Sequence, residues 1–203
     1  WDRYYRNVPP TAKLTRRYTS SALIAAMKRH AAAKPGASIV EFGGANSCFL
    51  DRILRETGCR RYDVVDNNRY GLELLKPRAA AGAVVRLHLR SVLDLSLDIQ
   101  ADLVFSVGLI EHFDPAGTAR AVQAHFDILR PGGTAIITFP TPTLLYRATR
   151  AIIEALGMWA FPDERPLDPA EVIASIRPRG EVIEQRILWP LMLTQTFIVA
   201  QKS

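Results

Sequence analysis

The sequence predicts a doubly wound α/β fold, a mostly parallel sheet with helices on both faces. Three observations predict it. Short strand-like segments at residues 38–42, 61–66 (around Val64 and Val65) and 101–107 alternate with longer segments whose apolar residues recur at the helical period. The first run leads directly into Gly43-Gly44 and then a helical pattern, the order in which such sheets open a nucleotide site. The 203 residues, 48% apolar and 23% charged, suit one globular domain with a substantial core.

In chain order, the leading segment is basic and aromatic. It mixes Arg3, Arg6, Lys13, Arg16 and Arg17 with Trp1, Tyr4, Tyr5 and Tyr18, and Pro9-Pro10 interrupts it. Ser20 or Ser21 is placed to cap a helix that carries Leu23, Ile24 and Met27 and ends near Lys34-Pro35-Gly36. After the strand at 38–42, a helix is expected from about 46 to 57, with Phe49, Leu50, Ile53 and Leu54 on its inner face and Gly58 as its stop. A strand at 61–66, a helix at 68–76 and strands at 84–89 and 101–107 follow. Asp114-Pro115 opens a helix to about Leu129. Pro131 should end it, and Gly132-Gly133 should turn the chain into a strand at 134–139. Residues 143–156 read as helix and 157–162 as an aromatic turn. Asp168-Pro169-Ala170-Glu171 supplies a cap, an N1 proline and an N3 acid for a helix to about Ile176. Strands at 181–188 and 194–201 close the chain. The organisation expected is a basic arm at 1–35, a cofactor-binding core at 36–140, a helical insertion at 141–180 and a final strand pair at 181–203.

The chemistry gathers at strand ends. Glu41 tips the first strand beside the glycine turn. A carboxylate there would repel a pyrophosphate but suits a ligand bearing an ammonium or another positive charge. Only Gly43 fits the dinucleotide fingerprint, since Ala45 and Cys48 hold the other glycine positions. Asp66 ends the second strand, where a carboxylate can accept two hydroxyl hydrogen bonds from a ribose; its alternative role is to cap the next helix.

The segment Glu41-Phe42-Gly43-Gly44-Ala45-Asn46-Ser47 resembles the first motif of class I S-adenosylmethionine-dependent methyltransferases, acid-x-Gly-x-Gly-x-Gly, with Ala45 and Ser47 in place of two glycines. Asp102-Leu103-Val104-Phe105-Ser106-Val107-Gly108-Leu109-Ile110-Glu111-His112-Phe113 is very like the family's fourth motif, and Leu129-Arg130-Pro131-Gly132-Gly133 like its fifth. The resemblance implies a seven-stranded sheet whose C-terminal strand is antiparallel, S-adenosylmethionine as donor, and a small-molecule acceptor. It implies cofactor contacts from Glu41, Gly43, Gly44 and Ala45 in the first turn, and from Asp66 and Asn67 at the second strand. Ser91, Val92 or Asp94 would read the adenine, since Arg90-Ser91 stands where the family commonly has Gly-Asp. Ser106 and Val107 would pass beneath the methyl group. His112 would face the substrate as a base, or else hold its loop, while Glu111 is expected to be structural. The leading arm is a candidate lid. Tyr5, Tyr18, Tyr146, Trp159 and Arg165 are candidate acceptor contacts, with packing as the alternative for each.

Several classes are disfavoured. Some quinone-type O-methyltransferases carry an extra Glu three residues before the Glu-His pair to hold a metal; Gly108 occupies that place, so no metal is implied. The Pro-Pro motif of nucleic-acid amine methyltransferases is absent after the fourth strand. Only the arm speaks for nucleic acid: residues 1–34 hold eight Lys or Arg against one acid, a balance of +7, whereas residues 35–203 hold 18 against 19, a balance of −1. That arm favours an anionic or glycosylated acceptor. A non-catalytic S-adenosylmethionine-binding protein stays open, because two motif glycines are substituted; a nicotinamide enzyme lacks its fingerprint. No run of 18 apolar residues and no signal peptide is legible, and the opening Trp1 in place of Met points to a natural start further upstream. Two cysteines without metal or redox spacing suit a reduced, cytoplasmic setting.

Overall fold

The computed structural model describes residues 10–30, 36–80, 84–159, 161, 163–188 and 194–203, with side chains from Thr15 onward. Seven strands form one sheet in the order β3-β2-β1-β4-β5-β7-β6. These are β1 (Ser38–Phe42), β2 (Arg61–Asp66), β3 (Val85–Leu89), β4 (Ala101–Val107), β5 (Leu129–Pro140), β6 (Gly180–Ile187) and β7 (Gln195–Lys202). The first five run parallel, and β7 is antiparallel to both β5 and β6. Strand order reverses between β1 and β4, so their C-terminal ends diverge into a crevice, the usual ligand position in such sheets.

Among the described residues six helices flank the sheet: α1 (Pro10–His30), α2 (Leu50–Thr57), α3 (Arg69–Ala80), α4 (Pro115–Asp127), α5 (Leu144–Ala155) and α6 (Pro169–Ile176). Leu23, Met27, Leu50 and Ile53 of α1 and α2 pack with Tyr62, Phe105 and Phe197 on one face; Phe126 of α4 and Val172 of α6 pack with Phe42, Val104 and Ile198 on the other. Burial on both faces explains why β1, β4 and the body of β5 read as mostly apolar runs.

Four expectations are corrected. The first helix starts at Pro10 rather than at Ser20 or Ser21. Those serines lie mid-helix, where the Ser21 hydroxyl donates to the Arg17 carbonyl. The helix after β1 starts at Leu50, four residues late, because Asn46 takes a left-handed φ of 51° and bends the chain first. Helix α3 runs through Pro77 to Ala80 instead of ending at Lys76. Finally, Pro131-Gly132-Gly133 do not precede β5 but lie inside it. Ala101 pairs with Leu129 and Leu103 with Thr134, so this stretch forms a bulge in the strand. The remaining helices begin where the caps indicate, with Asp114, Thr143 and Asp168 each accepting from a first-turn N–H.

Candidate active site

A cleft of about 450 Å³ opens over the C-terminal ends of the parallel strands. Glu41 lines it from β1. Its carboxylate accepts from the Tyr62 hydroxyl at 2.7 Å and from Ser47 Oγ at 2.9 Å. Burial pushes the Glu41 pKa up to about 7, with Tyr62 and Ser47 opposing that rise and the nearby Asp66 adding to it. Gly44 makes this arrangement sterically feasible: a Cβ there would sit 2.7 Å from Glu41 Cδ and 2.8 Å from Val64 Cγ1. Gly43 has φ +70° and donates its N–H to the Val65 carbonyl. The turn is no phosphate cradle. The N–H groups of Ala45, Asn46, Ser47 and Phe49 all donate to protein acceptors: Asp66, Gly71, Gly44 and Ser47 in turn.

Asp66 lines the same cleft. Its Oδ2 accepts from the Ala45 N–H at 2.9 Å and its Oδ1 from the Asn68 N–H at 2.7 Å, tying β2 to the first turn. Asn68, not Asp66, caps α3, accepting from the Gly71 N–H at 2.6 Å. The Asn67 N–H also bonds this carboxylate, and of its four lone-pair sites at least one stays for a ligand. Asn67, Ser91 and Val92 line the wall beside it, with Arg90 at the rim. Asp94 is exposed and lies outside the lining; it closes a turn through its N–H onto the Ser91 carbonyl.

At the end of β4 the lining is Val107, Gly108, Leu109, Glu111, His112 and Phe113. Ser106 faces the other way. It is buried, 2.9 Å from His125 Nε2, while His125 Nδ1 donates to the Ala121 carbonyl. That tautomer makes the Ser106 hydroxyl the donor, fastening α4 to the sheet. Burial holds His125 neutral, its pKa pushed down to about 4. A pKa below the ordinary value of about 6.5 means this histidine's contribution to stability is complete above that pH and is lost as pH falls toward 4, about 3 kcal/mol in all. Comparing urea unfolding of the wild type and His125→Gln at pH 7 and pH 4.5 should show a shallower acid loss in the variant; parallel losses would contradict it.

The loop after β4 carries Ile110–His112 as a single 3-10 turn, anchored by Thr118 Oγ1 donating to the Ile110 carbonyl. His112 Nδ1 lies 3.0 Å from Asp163 Oδ2, which makes Nε2 the proton-accepting nitrogen of the neutral ring. Burial lowers the His112 pKa, and Asp163 opposes that shift. Gly108 has φ +66°, and a Cβ there would approach Glu111 Oε1 to 3.3 Å. The segment before α6 runs along this loop: the Arg165 N–H donates to the Glu111 carbonyl at 2.9 Å, setting Phe161, Asp163 and Glu164 into the cleft wall. Among the described residues no group of three or more His, Cys, Asp or Glu is placed to hold a metal ion.

Residues 39–133 match the family model described as a methyltransferase domain. The matched stretch spans 95 of the 203 residues and holds β1 to β4 with the turn after β1. No curated protein sequence matches the chain. The fold of this chain is similar to that of magnesium protoporphyrin IX methyltransferase from Synechocystis with bound S-adenosylhomocysteine, at TM-score 0.80 and 13% identity over 100% of this chain and 94% of that one. It is also similar to the N-methyltransferase NodS from Bradyrhizobium japonicum in complex with S-adenosylhomocysteine, at TM-score 0.68 and 14% identity over 90% and 86%. A methyltransferase from Clostridium acetobutylicum gives TM-score 0.72 at 9% identity, covering 92% of each chain. At these identities the likeness concerns the fold.

The fold gathers Glu41, Gly43, Ala45, Asp66, Asn67, Ser91, Val92, Val107 and His112 around one cleft. Gly44, Asp94 and Ser106 lie outside its lining, as do Tyr18, Tyr146, Trp159 and Arg165. Tyr5 lies outside the described residues. Arg165 holds Glu171 through two hydrogen bonds of 2.7 and 2.9 Å and donates to Thr118. The Tyr146 hydroxyl donates to Glu164, and Trp159 packs edge-on to Tyr146 beneath the Arg150 guanidinium. These aromatics brace the insertion from behind. From α1, Thr15, Arg16 and Thr19 line the cleft, whereas Lys28 and Arg29 pair with Glu56 and Glu184. Sequence reasoning missed Asp163 and Glu164; two adjacent acids after an apolar turn were the one available signal.

Proposed function

We propose that this chain transfers the methyl group of S-adenosylmethionine to a small-molecule acceptor, releasing S-adenosylhomocysteine. One observation carries the reading: the carboxylates of Glu41 and Asp66 line a single cleft together with Ser91 and Val92 on one side and Val107 to His112 on the other. The nucleoside would lie over β2 and β3, with its ribose hydroxyls on Asp66 and its adenine against Ser91 and Val92. The amino-acid end would lie over the turn after β1, where Glu41 favours an ammonium. The sulfonium would then sit above Val107 to Leu109 and present its methyl toward His112. Catalysis is in-line displacement, driven mostly by alignment and exclusion of water, with the sulfonium charge lost in the step. His112 is the candidate base, steadied by Asp163, and α1 with Arg16 is the candidate cover. The two thiols, Cys48 and Cys59, suit a cytoplasmic setting.

Transfer of label from methyl-labelled S-adenosylmethionine to a panel of small amines, alcohols and carboxylates, read by mass spectrometry, tests the activity; retention of the donor with no labelled product from any class would contradict it. Glu41 supplies a second test. With its pKa near 7 in the free protein, a cationic donor binds its ionised form and gains affinity as pH rises. Donor affinity should increase up to about tenfold between pH 6 and pH 8, and Glu41→Gln should flatten that rise. A dependence unchanged in the variant would remove Glu41 from the donor site.

A further inference from the structure

We infer that the acceptor end of this cleft takes a positively charged nitrogen, an ammonium or amine substrate, held by Glu111 with Asp163 and Glu164 at its rim. The inference rests on the methyl-donor reading for which end of the cleft is the acceptor end. With the donor over β1 to β3, what remains is the wall built by the loop after β4 and the segment before α6. That wall is acidic. Glu111 is 2% exposed, lines the cleft, and among the described residues its Oε2 has no hydrogen-bond partner. A buried carboxylate oxygen without a donor is costly, so the site is completed by a donor that enters from the cleft. The neighbouring acids decide what kind. Burial raises the Glu111 pKa well above the ordinary range, and the Glu164 and Asp163 carboxylates push it further in the same direction. Their combined field repels a carboxylate or phosphate and attracts a cation. Phe113 and Phe161 line the same end, and aromatic side chains suit an alkylammonium. Of the cations near this wall, Arg165 is engaged by Glu171, and Arg150 by Glu154 and, at 3.8 Å, by Glu164.

The chemistry balances. An ammonium held against Glu111 gives one proton to Nε2 of neutral His112, and the freed nitrogen lone pair attacks the sulfonium methyl carbon. The new N–C bond forms as the S–C bond breaks, its electron pair stays on sulfur, and the products are an N-methylammonium, neutral S-adenosylhomocysteine and a protonated His112. Glu111 thus holds the acceptor, and His112 receives its proton.

Saturation-transfer NMR with benzylammonium and benzoate, on the protein with and without S-adenosylhomocysteine, tests this. Benzylammonium should bind at low millimolar concentration and benzoate at least tenfold more weakly. Glu111→Gln should weaken benzylammonium at least fivefold, and the rim variant Asp163→Asn about twofold. S-adenosylhomocysteine affinity, measured in parallel, separates the two readings. Loss of donor binding alone, with benzylammonium still dependent on Glu111, would topple the donor assignment and leave the acidic site standing. Benzoate binding as well as benzylammonium, or benzylammonium binding unchanged in Glu111→Gln, would overturn the inference. If Glu111→Gln does not fold, Asp163→Asn with the benzylammonium-to-benzoate preference decides: a preference that persists and weakens in this variant supports the site, and no preference overturns it.

Discussion

Asp66→Ala is expected to weaken S-adenosylhomocysteine binding by about 1.5–3 kcal/mol, the scale of hydrogen bonds to a charged group. Two losses combine. The ribose hydroxyls lose their acceptor, and the first turn loses the bond that fixes the Ala45 N–H at 2.9 Å. The second loss matters because Ala45 stands where the family motif carries glycine, so the turn keeps its shape partly through Asp66. Calorimetric titration of the folded variant reads the change, with circular dichroism confirming the fold. Affinity equal to wild type would remove Asp66 from the donor site.

The second large effect is on stability. Gly44→Ala places a methyl group within 2.8 Å of both Glu41 and Val64, both of them buried. Neither neighbour is a flexible surface chain, so Glu41 must move and release Tyr62 or Ser47. The expected loss is about 1–3 kcal/mol in urea unfolding, typical of overpacking, accompanied by weaker donor binding. Gly132→Ala is the control: its φ is +72°, but nothing lies within 4 Å of the added atom, so only local strain is expected, far from the cleft. Equal stability of Gly44→Ala and wild type would mean that the turn after β1 is not packed as described.

The parts of the fold that burial dictates were legible. The bounds of β1, β2 and β4 coincide with their apolar runs, because strands covered on both faces or ended by an acid leave a plain signal. Helix starts set by a capping aspartate or threonine were legible for the same local reason. What failed depended on geometry that no short window carries. Asn46 adopts a left-handed turn because the N–H of Asn46 meets Gly71, 25 residues away. The bulge at Gly132-Gly133 depends on the register of β4 against β5. Within the cleft, the motif residues of β1, β2 and β4 were accessible to sequence reasoning. Asp163 and Glu164 were not, since long-range bonds bring them there: Arg165 to the Glu111 carbonyl, His112 to Asp163 and Tyr146 to Glu164. Arg165 was proposed on side-chain type and Ser106 on its place in a family motif; in the fold Glu171 and His125 engage them instead, through contacts that no short window carries. Helix α5 makes the same point differently: Leu144 is 86% exposed although its spacing suits an inward face, while Tyr146 and Thr149 are buried instead.

A crystal structure of the protein grown with S-adenosylhomocysteine puts the donor assignment to its most direct trial. The ribose hydroxyls should lie within hydrogen-bond distance of the Asp66 carboxylate, the ammonium on the Glu41 side of the turn, and the sulfur above Val107 to Leu109. A nucleoside seated away from Asp66, or a cleft left without ligand at millimolar concentration, would contradict it.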